Sequence, residues 1–134
     1  MTRILVVDDS VDVRELYAAH LSSHGYDVAQ AEDGDQAIGA SFSERPGVII
    51  MDLDMPVIDG WTAIRILKGD PRTTDVPIIV VTGHAALSGL RAARDAGAAA
   101  VLTKTSGLYA LDVAVAQALG TSAAPTSLCD GSQR

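Results

Sequence analysis

Val48-Ile49-Ile50-Met51-Asp52-Leu53-Asp54-Met55-Pro56, followed closely by Asp59-Gly60, lies near the middle of the chain. Four apolar residues run straight into an aspartate, and a proline and a glycine then break the chain. A short apolar run bounded by turn signals fits a strand buried on both faces, as in a parallel sheet. Asp52 would then stand at the carboxyl end of a central strand, where open α/β sheets place their ligands. An aspartate beside proline and glycine also serves as an ordinary loop cap. The choice depends on whether the rest of the chain builds such a sheet.

It does. Arg3-Ile4-Leu5-Val6-Val7 is a second apolar run ending in acids, Asp8-Asp9, and Ser10-Val11-Asp12 offers helix N-cap chemistry. Val13, Leu16, Tyr17, His20 and Leu21 follow at helical spacing up to Gly25, a good helix stop. Tyr26 to Ala31 alternates weakly and reads as a less buried strand. Asp35 can cap a helix carrying Ala37, Ile38, Ser41 and Phe42, which Pro46-Gly47 breaks. Ile64, Leu67 and Trp61 form the apolar face of a helix over 61–68. Pro77 to Val81 is a third strong run, ending in Thr82-Gly83-His84. A helix over 86–96 stops at Gly97, and Ala99 to Thr103 is a last run ending at Lys104. Leu108, Leu111, Val115 and Leu119 mark a final amphipathic helix. Five strands alternating with five helices predict an α/β fold, a doubly wound five-stranded parallel sheet of flavodoxin-like (βα)5 type. Residues 120–134 read as a flexible tail or linker.

Composition narrows the function classes. A chain of 134 residues has room for one domain, and 48% hydrophobic with 20% charged residues is an ordinary globular balance. The net charge of −7 argues against direct binding to nucleic acid or to an anionic membrane. No apolar run reaches the length of a membrane span, and Ile4–Val7 is too short for a signal peptide. One cysteine, Cys129, excludes an internal disulfide framework. These features predict a soluble, cytoplasmic protein. His20 and His24 lie on or beside the first helix and read as surface residues rather than ligands, while Asp12, Asp33, Asp59 and Asp70 read as cap, turn or loop residues.

Each strong run ends in a chemically capable residue: Asp8-Asp9, Asp52, Thr82 and Lys104. In a parallel sheet these ends share one edge. Three carboxylates ~4 Å apart repel by roughly 4 kcal/mol per pair at an effective dielectric of about 20. A proton or a divalent cation must relieve that repulsion. An all-oxygen site suits Mg²⁺, which keeps several waters and accepts phosphate oxygens. Lys104 adds a positive point charge and Thr82 a hydroxyl donor. Cation, lysine and hydroxyl around one carboxylate make a site for a phosphoryl group, with Asp52 as nucleophile forming an aspartyl phosphate. Its carboxylate is already ionised at neutral pH, so positioning and charge neutralisation are the remaining work.

Taken together, Ile4-Leu5-Val6-Val7-Asp8-Asp9, Asp52-Leu53-Asp54-Met55-Pro56-Val57-Ile58-Asp59-Gly60, Val81-Thr82-Gly83-His84-Ala85 and Leu102-Thr103-Lys104 resemble the receiver domain of two-component response regulators. The resemblance covers residues 3 to 119 and sets the domain at 1–119, either a stand-alone chemotaxis-type receiver or a piece of a larger regulator. It implies that Asp52 accepts phosphate from a histidine kinase or a histidine phosphotransfer protein. Asp9 and Asp52 would bind Mg²⁺ directly, Asp8 through water, and the backbone carbonyl of Asp54 would complete the metal site. Lys104 would hold one phosphoryl oxygen and Thr82 would turn inward to bond another, while Pro56 and Gly60 shape the loop. Such a module is no enzyme toward other substrates, acting only in its own phosphorylation and dephosphorylation at Asp52. It would switch a downstream protein partner through the segment from Thr82 to Ala96. The outer side of the last helix could pair with a partner or with a second copy as a homodimer.

Two positions depart from the family pattern. Val101 stands where an aromatic residue usually couples to the threonine, and Thr105 follows Lys104 where proline usually makes a cis peptide. Without proline a cis bond costs about 2.5–4 kcal/mol, so a trans bond or a strained loop is expected. Asp54 and His84 occupy the positions that tune phosphate lifetime in this family. Two other readings compete. Asp52-Leu53-Asp54 resembles the DxD of haloacid-dehalogenase-type phosphatases, but that class needs more chain and carries its motif on the first strand, here the third. A degenerate receiver acting as a phosphorylation-independent interaction module is the other, and the full set Asp8, Asp9, Asp52, Thr82 and Lys104 argues against it.

Overall fold

The computed structural model describes residues 2–53, 60–83, 91–92 and 94–120. Within them the chain runs β1 (Arg3–Val7), α1 (Val11–Ser23), β2 (Asp27–Ala31), α2 (Gly34–Glu44), β3 (Val48–Asp52), α3 (Gly60–Gly69), β4 (Ile78–Thr82), β5 (Ala100–Thr103) and α4 (Gly107–Ala118). The five strands form one sheet in the order β2-β1-β3-β4-β5, every neighbouring pair parallel. The order reverses direction at β1 and β3, the point where doubly wound sheets open a crevice.

The strands are continuous apolar runs because both faces are covered. β3 and β4 are buried along their whole length, and so are the last four residues of β1. Alternate side chains point to opposite faces. Leu5, Val7, Ile49, Met51, Ile78 and Val80 pack on one side with Ala37 of α2 and Ala63, Ile64 and Leu67 of α3. Ile4, Val6, Val48, Ile50, Ile79 and Val81 pack on the other with Leu21 of α1 and Leu111, Ala114 and Val115 of α4. Each fully buried Val, Leu or Ile contributes about 1.5–3 kcal/mol. Truncating one from the middle of β3, Ile50→Ala, should therefore cost about 2–5 kcal/mol through the cavity it leaves.

The helix ends follow local chemistry. Ser10 caps α1, its hydroxyl accepting from the Val13 N–H at 3.4 Å, and Gly25 with φ +92° turns the chain out of the helix. The cap of α2 is Asp33, which accepts from the Gln36 N–H at 2.8 Å, not Asp35 as its position in the sequence suggests. Asp35 lies in the first turn, where its charge still favours the helix dipole. α2 stops at Glu44, and Arg45, at φ +52°, reverses the chain ahead of Pro46. The expected helix over 86–96 is represented by Arg91, Ala92, Arg94 and Asp95, which are helical, and by the Ala96 N–H donating to the Ala92 carbonyl at 2.9 Å. Its remaining residues lie outside the described ones. Gly97, with φ +112°, ends it as expected.

Trp61 is half-buried against the α2–α3 core, a packing residue. No helix among the described residues is long and apolar enough to cross a membrane.

Candidate functional site

Register places the chemistry. Val7 of β1 pairs with Met51 of β3, so the next residues, Asp8 and Asp52, leave the sheet side by side. Asp52 pairs with Val81 and Thr82 with Thr103, which brings Thr82 and then Lys104 to the same edge. The Lys104 N–H donates to the Thr82 carbonyl at 2.8 Å, extending the β4–β5 ladder to the lysine. Thus Asp8, Asp52, Thr82 and Lys104, spread over the whole chain, meet at one end of the sheet.

Asp8, Asp52 and Thr82 are buried, with 2%, 2% and 3% of their surface exposed. Asp9 is exposed. One carboxylate oxygen from each of Asp8, Asp9 and Asp52 falls within a 4.8 Å cluster. The Lys104 ammonium lies 3.1 Å from Oδ2 of Asp8 and 3.6 Å from Oδ2 of Asp52. Burial lowers the Lys104 pKa, but the hydrogen bond to Asp8 and the charges of Asp52 and Asp8 outweigh it and leave the group above its usual value. Among the described residues, one cation thus pairs with two members of a cluster of three carboxylates. The unbalanced charge, the all-oxygen donor set and the shared cluster fit a hard divalent ion that keeps some of its waters. Asp54, whose backbone carbonyl the resemblance adds to this set, lies outside the described residues, as do Met55, Pro56, Asp59 and His84.

Several supports were not legible in the sequence. The Ser10 N–H donates to Oδ1 of Asp8 at 2.9 Å, so the residue that caps α1 also orients the buried carboxylate. Arg14 donates from Nη1 to the Asp8 backbone carbonyl at 2.8 Å and from Nε to Gln30 at 3.0 Å, tying β1, α1 and β2 together behind the site. Beside Lys104 a cavity of about 180 Å³ is lined by Val13, Leu16, Tyr17, Gly107 and Leu108 along with the lysine itself. Burial raises the Tyr17 pKa, the Lys104 charge lowers it, and the charges of Asp8 and Asp52 add to the rise.

The two departures from the family pattern also have structural counterparts. Val101 is half-buried on β5 and packs against the α2–α3 side of the core. None of the described peptide bonds is cis, so Lys104–Thr105 is trans. Hydroxyls hold this loop instead. Thr103 Oγ1 lies 3.0 Å from Thr105 Oγ1 and 2.9 Å from Ser106 Oγ, and Ser106 Oγ accepts from the Thr103 N–H at 3.1 Å.

A doubly wound parallel sheet with an acidic cluster and a lysine at its carboxyl edge defines a class of signalling module. The family model for the response regulator receiver domain matches residues 4–116, and the chain belongs to that family. It is 36% identical over 104 residues to the DNA-binding dual master transcriptional regulator RpaA of Synechocystis, a match covering 78% of this chain and 43% of that protein. It is 40% identical over 82 residues to Protein PilH of Pseudomonas aeruginosa, covering 61% of this chain and 68% of PilH. With response regulator MprA of Mycobacterium tuberculosis the identity is 41% over 109 residues, covering 81% and 46%. The chain therefore spans less than half the length of RpaA and MprA. Among solved structures, the Vibrio cholerae chemotaxis protein CheY4 superimposes with a TM-score of 0.84 at 28% identity, over 89% of this chain and 99% of that one. A response regulator receiver protein of Pseudomonas putida gives 0.80 at 29%, over 87% and 96%.

Proposed function

We propose that residues 1–119 form a phosphorelay receiver whose phosphoacceptor is Asp52; the tail or linker expected over 120–134 lies, Gly120 apart, outside the described residues. The observation that carries this reading is the Lys104 ammonium lodged between two buried carboxylates, 3.1 Å from Asp8 and 3.6 Å from Asp52. Structural stability alone gives little reason to bury two like charges beside each other. A site that must receive a dianionic group and then release it does give one.

In the proposed step an oxygen of the Asp52 carboxylate attacks the phosphorus of a phosphohistidine on a histidine kinase or phosphotransfer protein. The P–N bond breaks as the P–O bond forms, and the departing imidazole nitrogen keeps the bond electrons and takes a proton from solvent. Lys104 neutralises charge on one phosphoryl oxygen, and the Thr82 hydroxyl donates to another. Mg²⁺, held by Asp9 and Asp52 with Asp8 acting through water and the Asp54 carbonyl completing the protein ligands, would neutralise the phosphoryl oxygens. Water later attacks the acyl phosphate, the P–O bond to Asp52 breaks, and inorganic phosphate leaves with the carboxylate restored. The output passes from Thr82 into the segment leading to Ala96, where the changed charge biases binding of a downstream protein. Such a cycle operates in the cytoplasm, beside the kinase's catalytic domain.

Calorimetric titration with Mg²⁺ tests the metal part. Wild type should bind one Mg²⁺ per chain, and Asp52→Asn should lose most of that affinity. A folded wild-type protein that takes up no Mg²⁺ would favour the phosphorylation-independent interaction module.

A further inference from the structure

We infer that His20, His24 and Asp112 form a second metal site, for a divalent transition ion of Zn²⁺ type, that joins α1 to α4. His20 lies in the last turn of α1 and His24 is its C-cap residue. Four residues apart, they stand one above the other on the same helix face. Their ring centroids are 4.6 Å apart. Asp112 reaches them from α4, both of its carboxylate oxygens facing Nε2 of His20 at 2.8 and 3.0 Å. One nitrogen from each imidazole and one Asp112 oxygen lie within 4.8 Å of one another.

A hydrogen bond between two helices explains the His20–Asp112 contact, and helix spacing brings the His24 ring beside it, so three donors from two helices converge. A shared ion would engage all three at once. With metal–ligand bonds of about 2.0–2.1 Å, tetrahedral ligand atoms stand roughly 3.4 Å apart. The Asp112 oxygens and His20 Nε2 would open by a few tenths of an ångström. His24 would close the remaining gap by turning its exposed ring, while its backbone stays fixed by the N–H bond to the Leu21 carbonyl, 3.0 Å. Three protein ligands leave a fourth position for water.

The donor chemistry separates this site from the acidic one. Two imidazoles and one carboxylate suit Zn²⁺ and its neighbours in the first transition row, whereas Mg²⁺ takes oxygen ligands and gives up its water reluctantly. Asp8, Asp9 and Asp52 offer oxygens alone, so the chain would sort the two ions between two sites. The position gives the ion a lever. α1 starts at Val11 just after Asp8-Asp9, and α4 starts at Gly107 just after Lys104. An ion bonded to both helices would hold together the two elements that flank the acidic site and line the cavity beside Lys104.

The test is competition for Zn²⁺ between a chromogenic chelator and the full chain, free of any histidine tag and stripped of metal, in excess Mg²⁺. Wild type should take up one Zn²⁺ per chain. Removing even an outer-shell partner of a bound metal weakens it 10–100-fold, so His24→Ala and Asp112→Ala should each lower affinity by at least about tenfold. His24 is exposed, so His24→Ala leaves the fold and the His20–Asp112 contact in place and isolates the ligand effect. Asp52→Asn should bind as wild type, and Co²⁺ in place of Zn²⁺ should give the intense visible bands of a four-coordinate ion. Absence of Zn²⁺ uptake, unchanged affinity in His24→Ala, loss of Zn²⁺ in Asp52→Asn, or half an equivalent shared between two copies would each overturn the assignment.

Discussion

Lys104 stands closer to Asp8 than to Asp52, 3.1 Å against 3.6 Å, so the resting ion pair is made with the neighbour of the proposed phosphoacceptor. The acceptor carboxylate shares the same ammonium at the longer distance, so the cation already stands within reach of it. A phosphoryl group arriving on Asp52 would compete with Asp8 for the same ammonium. On this account the lysine is both the charge balance of the resting site and the first residue to register the new charge.

That balance has a pH signature. Lys104 and Tyr17 both sit above their usual values of 10.5 and 10.0, the lysine because its carboxylate partners outweigh its burial, the tyrosine chiefly because it is buried. At these two groups the native state holds its protons to higher pH than the unfolded chain, so their contribution to stability falls as pH rises above about 10. The contribution is complete below the unfolded values and is lost as pH rises through the folded ones. Urea midpoints measured across the alkaline range should fall more gently in Lys104→Met than in wild type. Identical slopes would mean the ion pair adds nothing.

Asp9 is the exposed member of the acidic cluster, so neutralising it relieves repulsion without emptying the core. Asp9→Asn should stabilise the metal-free protein by about 0.5–1 kcal/mol, the scale of an exposed charge interaction. The same change should remove most of the stabilisation that Mg²⁺ gives wild type, which is about 2.7 kcal/mol at a hundred times the dissociation constant. Thermal unfolding with EDTA and with Mg²⁺ reads both effects, which have opposite signs.

Two glycines should respond in opposite directions to the same substitution. Gly107 opens α4 just after the Lys104 loop with φ +89°, whereas Gly39 lies inside α2 without such a φ, and a Cβ would meet nothing within 4 Å at either. Gly107→Ala should cost about 1 kcal/mol from backbone strain alone. Gly39→Ala should stabilise by about 0.5–1 kcal/mol through helix propensity. Paired denaturant curves check this, and a destabilised Gly39→Ala would show that α2 is not the ordinary helix described here.

Asp70 sets the link between α3 and β4. Its carboxyl accepts from the Arg72 side chain and from the Arg72 N–H, the latter at 2.8 Å, and those bonds draw its pKa from 3.8 down to about 2. Its stabilising effect is therefore present above pH 3.8 and lost as pH falls through about 2. Arg72 also lies over the Phe42 ring, 3.9 Å from its centroid. Arg72→Ala should move the Asp70 titration, followed by NMR, back toward the ordinary carboxylate value; an unmoved titration would exclude the guanidinium as its main cause.

The strands were readable because a doubly covered parallel strand is written as an uninterrupted apolar run, and Val48–Asp52 and Ile78–Thr82 could hardly be anything else. The convergence of Asp8, Asp52, Thr82 and Lys104 followed from the same fact, since parallel strands put their carboxyl ends on one edge. Contacts between polar groups on different elements were hidden. Nothing in the pattern tells that Arg3 pairs with Asp27 and Glu44, or that Asp112 crosses 92 positions of sequence to meet His20. Such pairs depend on how two helices or strands cross, which apolar periodicity fixes only coarsely. The cap of α2 slipped from Asp35 to Asp33 for a related reason, because several aspartates near one helix start offer the same chemistry and only the backbone path selects one.

Intact mass after incubation with acetyl phosphate and Mg²⁺, on wild type and on Asp52→Asn, tests the central claim most directly. One added phosphoryl group is expected on wild type, lost when the metal is chelated, and none on the variant. An unmodified wild type alongside a receiver that is modified under the same conditions, or an Asp52→Asn variant phosphorylated as fully as wild type, would contradict it.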